Sequence, residues 1–162
     1  MTPPTIRPLT PDDYDQWWRL YQGYANFYQV ALTPDGVQTT WSWLIDAGHV
    51  CTGLVAEQSG QLVGLAHFRG MPSPLRGQMI GFLDDLFVVS ENRSGGVAAA
   101  LIKAVQAAAK VEGWGVVRWI TRDHNYRARG VYDKLAEKTD CCLLYTSPSP
   151  RDLSTSRMPS SA

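Results

Sequence analysis

The sequence predicts a mixed α/β domain in the order β-α-α-β-β-β-α-β-α, with one strand–helix–strand crossover. Three observations carry that expectation. Thr10-Pro11-Asp12 and Thr33-Pro34-Asp35 each open an apolar-periodic segment in the manner of a capped helix. Two β-rich runs flank Ser59-Gly60, a hairpin signal. From Gln78 to Leu101 the chain reads as a strand, a sharp Gly-rich turn and a helix starting at the turn.

Taken in order, Thr5 to Leu9 forms a short opening strand. The first helix follows the Thr10 cap, with Asp12 and Asp13 in its first turn and an aromatic stripe at Tyr14, Trp17, Trp18, Tyr21, Tyr24 and Tyr28 at helical spacing. That stripe reads mainly as core. Where part of it faces a cleft, Tyr24, Tyr28 or Trp43 would pack a cationic amine. The second helix runs to about Ala47. Strands at His49–Gln58 and Gln61–Arg69 make the hairpin, and Gly70 to Gly77, with two prolines and two glycines, reads as a loop. After the fourth strand, a helix from about Gly96 to Glu112 turns Val97, Leu101, Val105 and Ala108 to the core and stops at Gly113. Val116–Thr121 reads as a short buried strand and Asn125–Ala136 as the last helix.

A chain of 162 residues has room for one domain. Its formal charge is zero, so no global field favours nucleic acid or an anionic membrane. No window approaches a membrane span and the N-terminus lacks signal-peptide features, so the expected location is cytoplasmic. Cys51, Cys141 and Cys142 show no metal-ligand spacing, and His49, His67 and His124 are scattered singly. No metal is expected.

After Asp140 the composition shifts to Ser, Thr, Pro and Arg without periodicity. Residues 142–152 read as the in-frame translation of a transposase-type sequencing adapter, and residues 156–162 as its next constant segment. The expectation is a domain over residues 1–141, cut short at its C-terminus, followed by a non-native, disordered tail over 142–162.

The chemistry concentrates at the Gly-rich turn. Arg93, Ser94, Gly95, Gly96, Val97 and Ala98 bring small residues to a helix N-terminus, where unpaired N–H groups and the helix dipole suit a phosphate or pyrophosphate. Neither the dinucleotide-binding glycine fingerprint nor a P-loop is present. Asp84 and Asp85 interrupt an apolar strand, where Asp is depleted. Strict alternation places them on opposite faces, with Asp84 beside Leu86 and Val88; a bulge, with Asp85 capping backbone N–H groups, is the competing arrangement. Tyr132 sits at helical spacing with Val131 and Leu135. Arg118, Arg122, Arg127 and Arg129 form a basic cluster, read as a solvated face or a partner for phosphate.

Leu83-Asp84-Asp85-Leu86-Phe87-Val88, then Arg93-x-x-Gly96-x-Ala98, then Asn125 and Tyr132, resemble the GNAT superfamily of acetyl-CoA-dependent N-acetyltransferases, nearest its small-amine or histone-like branch. The resemblance spans about Thr5 to Thr139. It implies a mixed, mostly antiparallel sheet flanked by helices, two C-terminal strands of which are missing here. It also implies acetyl-CoA as co-substrate, its pyrophosphate on the amides of Arg93 to Ala98 and its pantetheine arm along Leu86, Phe87 and Val88. Asn125 would bond the pantetheine or cap the last helix.

In the same resemblance Asp84 is the general base, reaching the amine directly or through water, and Tyr132 the acid that protonates the leaving thiolate. A substrate amine with pKa near ~10 is almost wholly ammonium at neutral pH, so attack on a thioester needs a base. Ala136 stands where many members carry Gly. The acceptor implied is a primary amine of a small molecule, or next a peptide, with no nucleic acid or membrane partner and a homodimer left open. A non-catalytic acyl-CoA-binding module and an inactive fragment of the enzyme are the competing readings.

Overall fold

A computed structural model of the chain describes residues 3–93 and 95–146. The strands are β1 (Thr5–Pro8), β2 (Cys51–Gln58), β3 (Gln61–Ser73), β4 (Gln78–Val88) and β5 (Val117–Trp119); the helices are α1 (Tyr14–Tyr28), α2 (Pro34–Ile45), α3 (Val97–Val111) and α4 (Tyr126–Tyr132). They build one sheet in the order β1-β2-β3-β4-β5, antiparallel except for the parallel β4–β5 pair that the α3 crossover requires. The fold class is the mixed, helix-flanked sheet expected from the sequence.

The sheet separates two cores. On one face α3 presents Val97, Leu101, Ile102 and Val105 to Leu54, Ala66, Phe68, Leu83 and Val88. On the other, Trp17 and Leu20 of α1 and Val37 and Leu44 of α2 pack on Val55, Leu62 and Leu65. β2 and β3 carry unbroken buried runs rather than an apolar–polar alternation because both of their faces are covered. α1 starts through a turn of 3-10 helix, Pro11–Asp13, where the buried Asp13 accepts from the Thr10 amide and hydroxyl and from Arg7.

Three expectations change. Gly70–Gly77 is not a loop: β3 continues to Ser73, and only Pro74–Arg76 turns, as 3-10 helix. Gly70, one of the two glycines that suggest a turn, instead pairs with Gly81 of β4, and the two bare positions let Trp114 lie on the sheet. A Cβ would meet its ring at 2.6 Å on Gly70 and 2.8 Å on Gly81. The last strand is shorter than Val116–Thr121 and only half-buried. The last helix stops at Tyr132 rather than Ala136, with turns to Leu135 and Ala136 following.

Residues 141–146 carry no regular secondary structure and leave Leu143, Leu144 and Tyr145 exposed. The rest of the expected tail, 147–162, lies outside the described residues, as does Ser94. Among the described residues no helix is long and apolar enough to cross a membrane.

Candidate active site

β4 changes direction at the acidic pair. His67 of β3 pairs with Asp85 and Phe68 with Leu83, so Asp84 is an extra residue, a β-bulge. The bulge resets the alternation: Leu83 and Val88 both face the α3 core, which an unbroken strand could not arrange, while Phe87 turns to α1. The bulge therefore falls on Asp84, and Asp85 spends its carboxylate on a side chain rather than on backbone N–H groups.

The bulge also marks where β4 and β5 part. Gly81, Phe82 and Leu83 pair with Val117, Arg118 and Trp119, and no β5 pairing extends beyond Leu83 among the described residues. Among the described residues, Leu86, Phe87 and Val88 pair only with Ala66, Leu65 and Gly64 of β3, which leaves their other backbone edge open. α1 lies close over this segment because Gly23 has no side chain; a Cβ there would stand 2.9 Å from the Phe87 ring.

At the top of the open edge sits the N-terminus of α3. Gly96 precedes it with φ of 75°, a left-handed backbone that favours glycine; a Cβ there would meet open space, so the backbone rather than size selects the residue. The amides of Arg93 and Gly95 bond back to Ser90 and Asn92, whereas those of Gly96, Val97 and Ala98 make no hydrogen bond among the described residues. The Arg93 guanidinium donates to the Val88 carbonyl at 2.9 Å and lies over the Phe27 and Phe87 rings, which ties the turn to the end of β4.

A small pocket of about 20 Å³ at the β4–β5 parting is lined by Tyr24, Tyr28, Asp84, Leu86, Trp119 and Tyr132, among others. It unites both residues expected to handle protons. Tyr132 packs edge-on against Trp119, and burial pushes its phenol up to about 12. Asn125 caps α4 by accepting from the Ala128 amide at 3.4 Å and donates to Thr121, so its cap role is the one seen. Arg122 donates to the Tyr28 carbonyl and lies over the Tyr28 ring, which ties the segment before α4 to the end of α1. Of the basic cluster, Arg122 and Arg129 are thus engaged with the protein, Arg129 on Asp123.

Asp84 borders a second, wider cleft of about 320 Å³ between α1, α2 and the sheet, lined by Tyr21, Trp43, Cys51, Arg69 and Asp85 among others. Its carboxylate accepts from Arg69 Nε at 3.0 Å. Burial raises the Asp84 carboxyl above the usual range, and the Arg69 pair opposes that rise. Among the described residues, Asp84 is thus the one acidic residue that touches both spaces.

Sequence reasoning missed His67. It is 4% exposed, accepts from Trp17 Nε1 through Nε2 at 3.0 Å, and bonds Asp85 through Nδ1 at 2.8 Å. An indole N–H only donates, so the histidine proton sits on Nδ1 and points at Asp85. Tyr24, its phenol raised by burial and by the neighbouring Asp85, stands beside the same carboxylate. The chain Trp17–His67–Asp85 fastens the bulge to α1. A polar residue at an inward position of the apolar β3 run was the available signal.

The aromatic stripe divides accordingly. Trp17 is fully buried with Tyr14 and Trp18 packed near it, whereas Tyr24 and Tyr28 line the small pocket and Tyr21 and Trp43 the cleft. Among the described residues no group of three or more His, Cys, Asp or Glu could hold a metal ion.

Known proteins agree with this layout. The D-amino-acid N-acetyltransferase HPA3 of Saccharomyces cerevisiae is 29% identical over 140 residues, covering 85% of this chain and 87% of the yeast protein. The N-acetyltransferase YhfO of Bacillus subtilis is 27% identical over 121 residues, 75% of this chain and 80% of its own length. The solved structure of AAC(6')-Iy with a CoA-linked bisubstrate analogue superposes with a TM-score of 0.78 at 22% identity, covering 91% of this chain and 100% of that one, and shows the same fold. The family model for the acetyltransferase (GNAT) family matches residues 17–136, and the chain belongs to that family.

Proposed function

We propose that this acetyltransferase moves the acetyl group of acetyl-CoA to a primary amine of a small molecule, by direct transfer with both substrates bound. The observation that carries the reading is the position of Asp84, on a bulge bordering both the parting of β4 and β5 and the wider cleft. One space suits the thioester and the other the amine.

The residues present fit acetyl-CoA. The free edge of Leu86–Val88 offers backbone donors and acceptors to the amide-rich pantetheine arm. The amides of Gly96, Val97 and Ala98, at the positive end of a 15-residue helix, suit the pyrophosphate. Of the rest of the expected set, the Arg93 and Gly95 amides are spent on Ser90 and Asn92 and Ser94 lies outside the described residues, while Asn125 steadies the far wall by capping α4. Acetyl-CoA supplies an activated acyl carbon and a thiolate leaving group.

Asp84 takes a proton from the ammonium, directly or through water, so that the amine lone pair is available. Its desolvation makes it a stronger base than a surface Asp, because the charged form is less well solvated. A backbone N–H near Leu86 or Phe87 donates to the carbonyl oxygen as charge builds there. Tyr132, uncharged at neutral pH, donates to the sulfur as its bond to carbon breaks, and recovers its proton from solvent.

The test is Asp84→Asn, with turnover followed by thiol release and CoA affinity by calorimetry. Turnover should fall ~100-fold or more, as for loss of a general base, with CoA affinity within threefold of wild type. A wild-type chain that binds CoA yet acetylates no member of a broad amine panel is a binding module, and this reading is then wrong.

A further inference from the structure

We infer that Arg69 reads a carboxylate on the acceptor, so that the cleft takes an α-amino acid, with its ammonium toward Asp84 and its carboxylate on the Arg69 guanidinium. This inference rests on the transferase reading and adds the acceptor class to it.

The cleft is lined by three charged side chains among the described residues: Arg69, Asp84 and Asp85. Asp85 is committed to His67, with the Tyr24 phenol beside it. The charges left for a ligand are one carboxylate and one guanidinium, side by side at 3.0 Å. Only Nε of Arg69 bonds Asp84; the terminal nitrogens Nη1 and Nη2 make no hydrogen bond among the described residues. The guanidinium is held in place, since it also lies over the Phe82 ring at 5.4 Å on the facing strand. A planar fork with two spare donors is the standard partner for a carboxylate.

Charge and size narrow the ligand further. A polycation would bring its second charge against Arg69, whereas an α-amino acid carries opposite charges on adjacent groups and matches the neighbouring pair. A volume of about 320 Å³ sits at the small end of the ~300–1,000 Å³ range for small-molecule pockets. The Tyr21, Trp43 and Leu44 side chains leave an apolar wall for the amino-acid side chain. Engaging the substrate carboxylate also draws Arg69 away from Asp84, which strengthens Asp84 as a base when an acceptor is bound.

The experiment compares matched acceptors on the full chain with acetyl-CoA: both enantiomers of phenylalanine, leucine and alanine against 2-phenylethylamine, isoamylamine and ethylamine. The expected wild-type result is a kcat/KM favouring at least one amino acid over its decarboxylated amine by ~10–150-fold, the range for a hydrogen bond to a charged group. Arg69→Gln should bring that ratio to within threefold of one, and Arg69→Lys should restore part of it. The ratio cancels any effect of Arg69 on Asp84 common to both acceptors. A wild-type ratio of one or below, or a ratio unchanged in Arg69→Gln, overturns the inference while leaving the transferase reading intact. Should no acceptor turn over, calorimetry on the CoA-saturated protein decides it: the amino acids must bind tighter than their amines, and lose that advantage in Arg69→Gln.

Discussion

Replacing Tyr132 by Phe separates chemistry from folding. The ring stays, so the edge-on packing against Trp119 is kept and no cavity opens. Stability should move by less than ~1 kcal/mol, the scale of a nearly volume-conserving change. What is lost is one hydroxyl in the pocket shared with Asp84. Its phenol stands at about 12, against ~8.5 for a thiol, a gap of ~3.5 units or about 5 kcal/mol.

A complete proton transfer ahead of bond cleavage is uphill by that amount. The hydroxyl therefore acts as a hydrogen-bond donor to sulfur while charge builds, an interaction of ~1.5–3 kcal/mol with a charged group. The expected loss in kcat is ~10–150-fold rather than the ~10⁴-fold at the top of the general-acid range. Steady-state thiol release at saturating acetyl-CoA measures it, with CoA affinity by calorimetry and unfolding in urea as controls. A kcat within threefold of wild type, or a loss confined to CoA affinity, refutes the role. With its phenol at about 12, Tyr132 should also impose no falling limb on the rate below about pH 11.

Other perturbations test the scaffold. Gly81→Ala drives a Cβ to 2.8 Å from the Trp114 ring and 3.1 Å from Val117, and should cost ~1–3 kcal/mol in urea unfolding; an unchanged midpoint would show that Trp114 does not lock β4 to β5. His67→Phe orphans the Trp17 N–H and removes a donor from Asp85, for a loss of about 3 kcal/mol, with a matching rise in Trp17 solvent quenching. Asp13, held at about 2 by Arg7 and the Thr10 donors against ~3.9 when unfolded, contributes about 2 kcal/mol above the unfolded value. Because the folded value is the lower one, that stability fades as pH falls from ~4 to ~2. Asp13→Asn should remove it at pH 7 and flatten stability across that interval, so equal acid sensitivity in both proteins would contradict the assignment.

Several parts of the site were legible because they are local. The Thr-Pro-Asp starts, the hairpin at Ser59-Gly60 and the Gly96 turn follow from backbone preferences within a few residues, and each lies where the sequence places it. Gly70 misled for the opposite reason, and its partner Gly81 is small from the same cause. Their small size answers to Trp114, more than thirty residues away along the chain, and no local pattern reports that contact. His67 was overlooked for the same cause, since its partners come from α1 and β4.

The sequence by itself determined the order of elements, the helix-flanked sheet, the Gly-rich turn at the head of α3 and the presence of an acidic pair in the fourth strand. These depend on periodicity, caps and residue size, which are written in consecutive residues. Only the tertiary structure decided which of the two acids is the bulge, that Asp85 is spent on His67 near Tyr24, and that Asp84 stands between two spaces with Arg69 beside it. Register between strands is a pairing of distant segments. One extra residue in β4 reverses the face of everything after it, so the site's chemistry rests on a choice made between strands rather than within one.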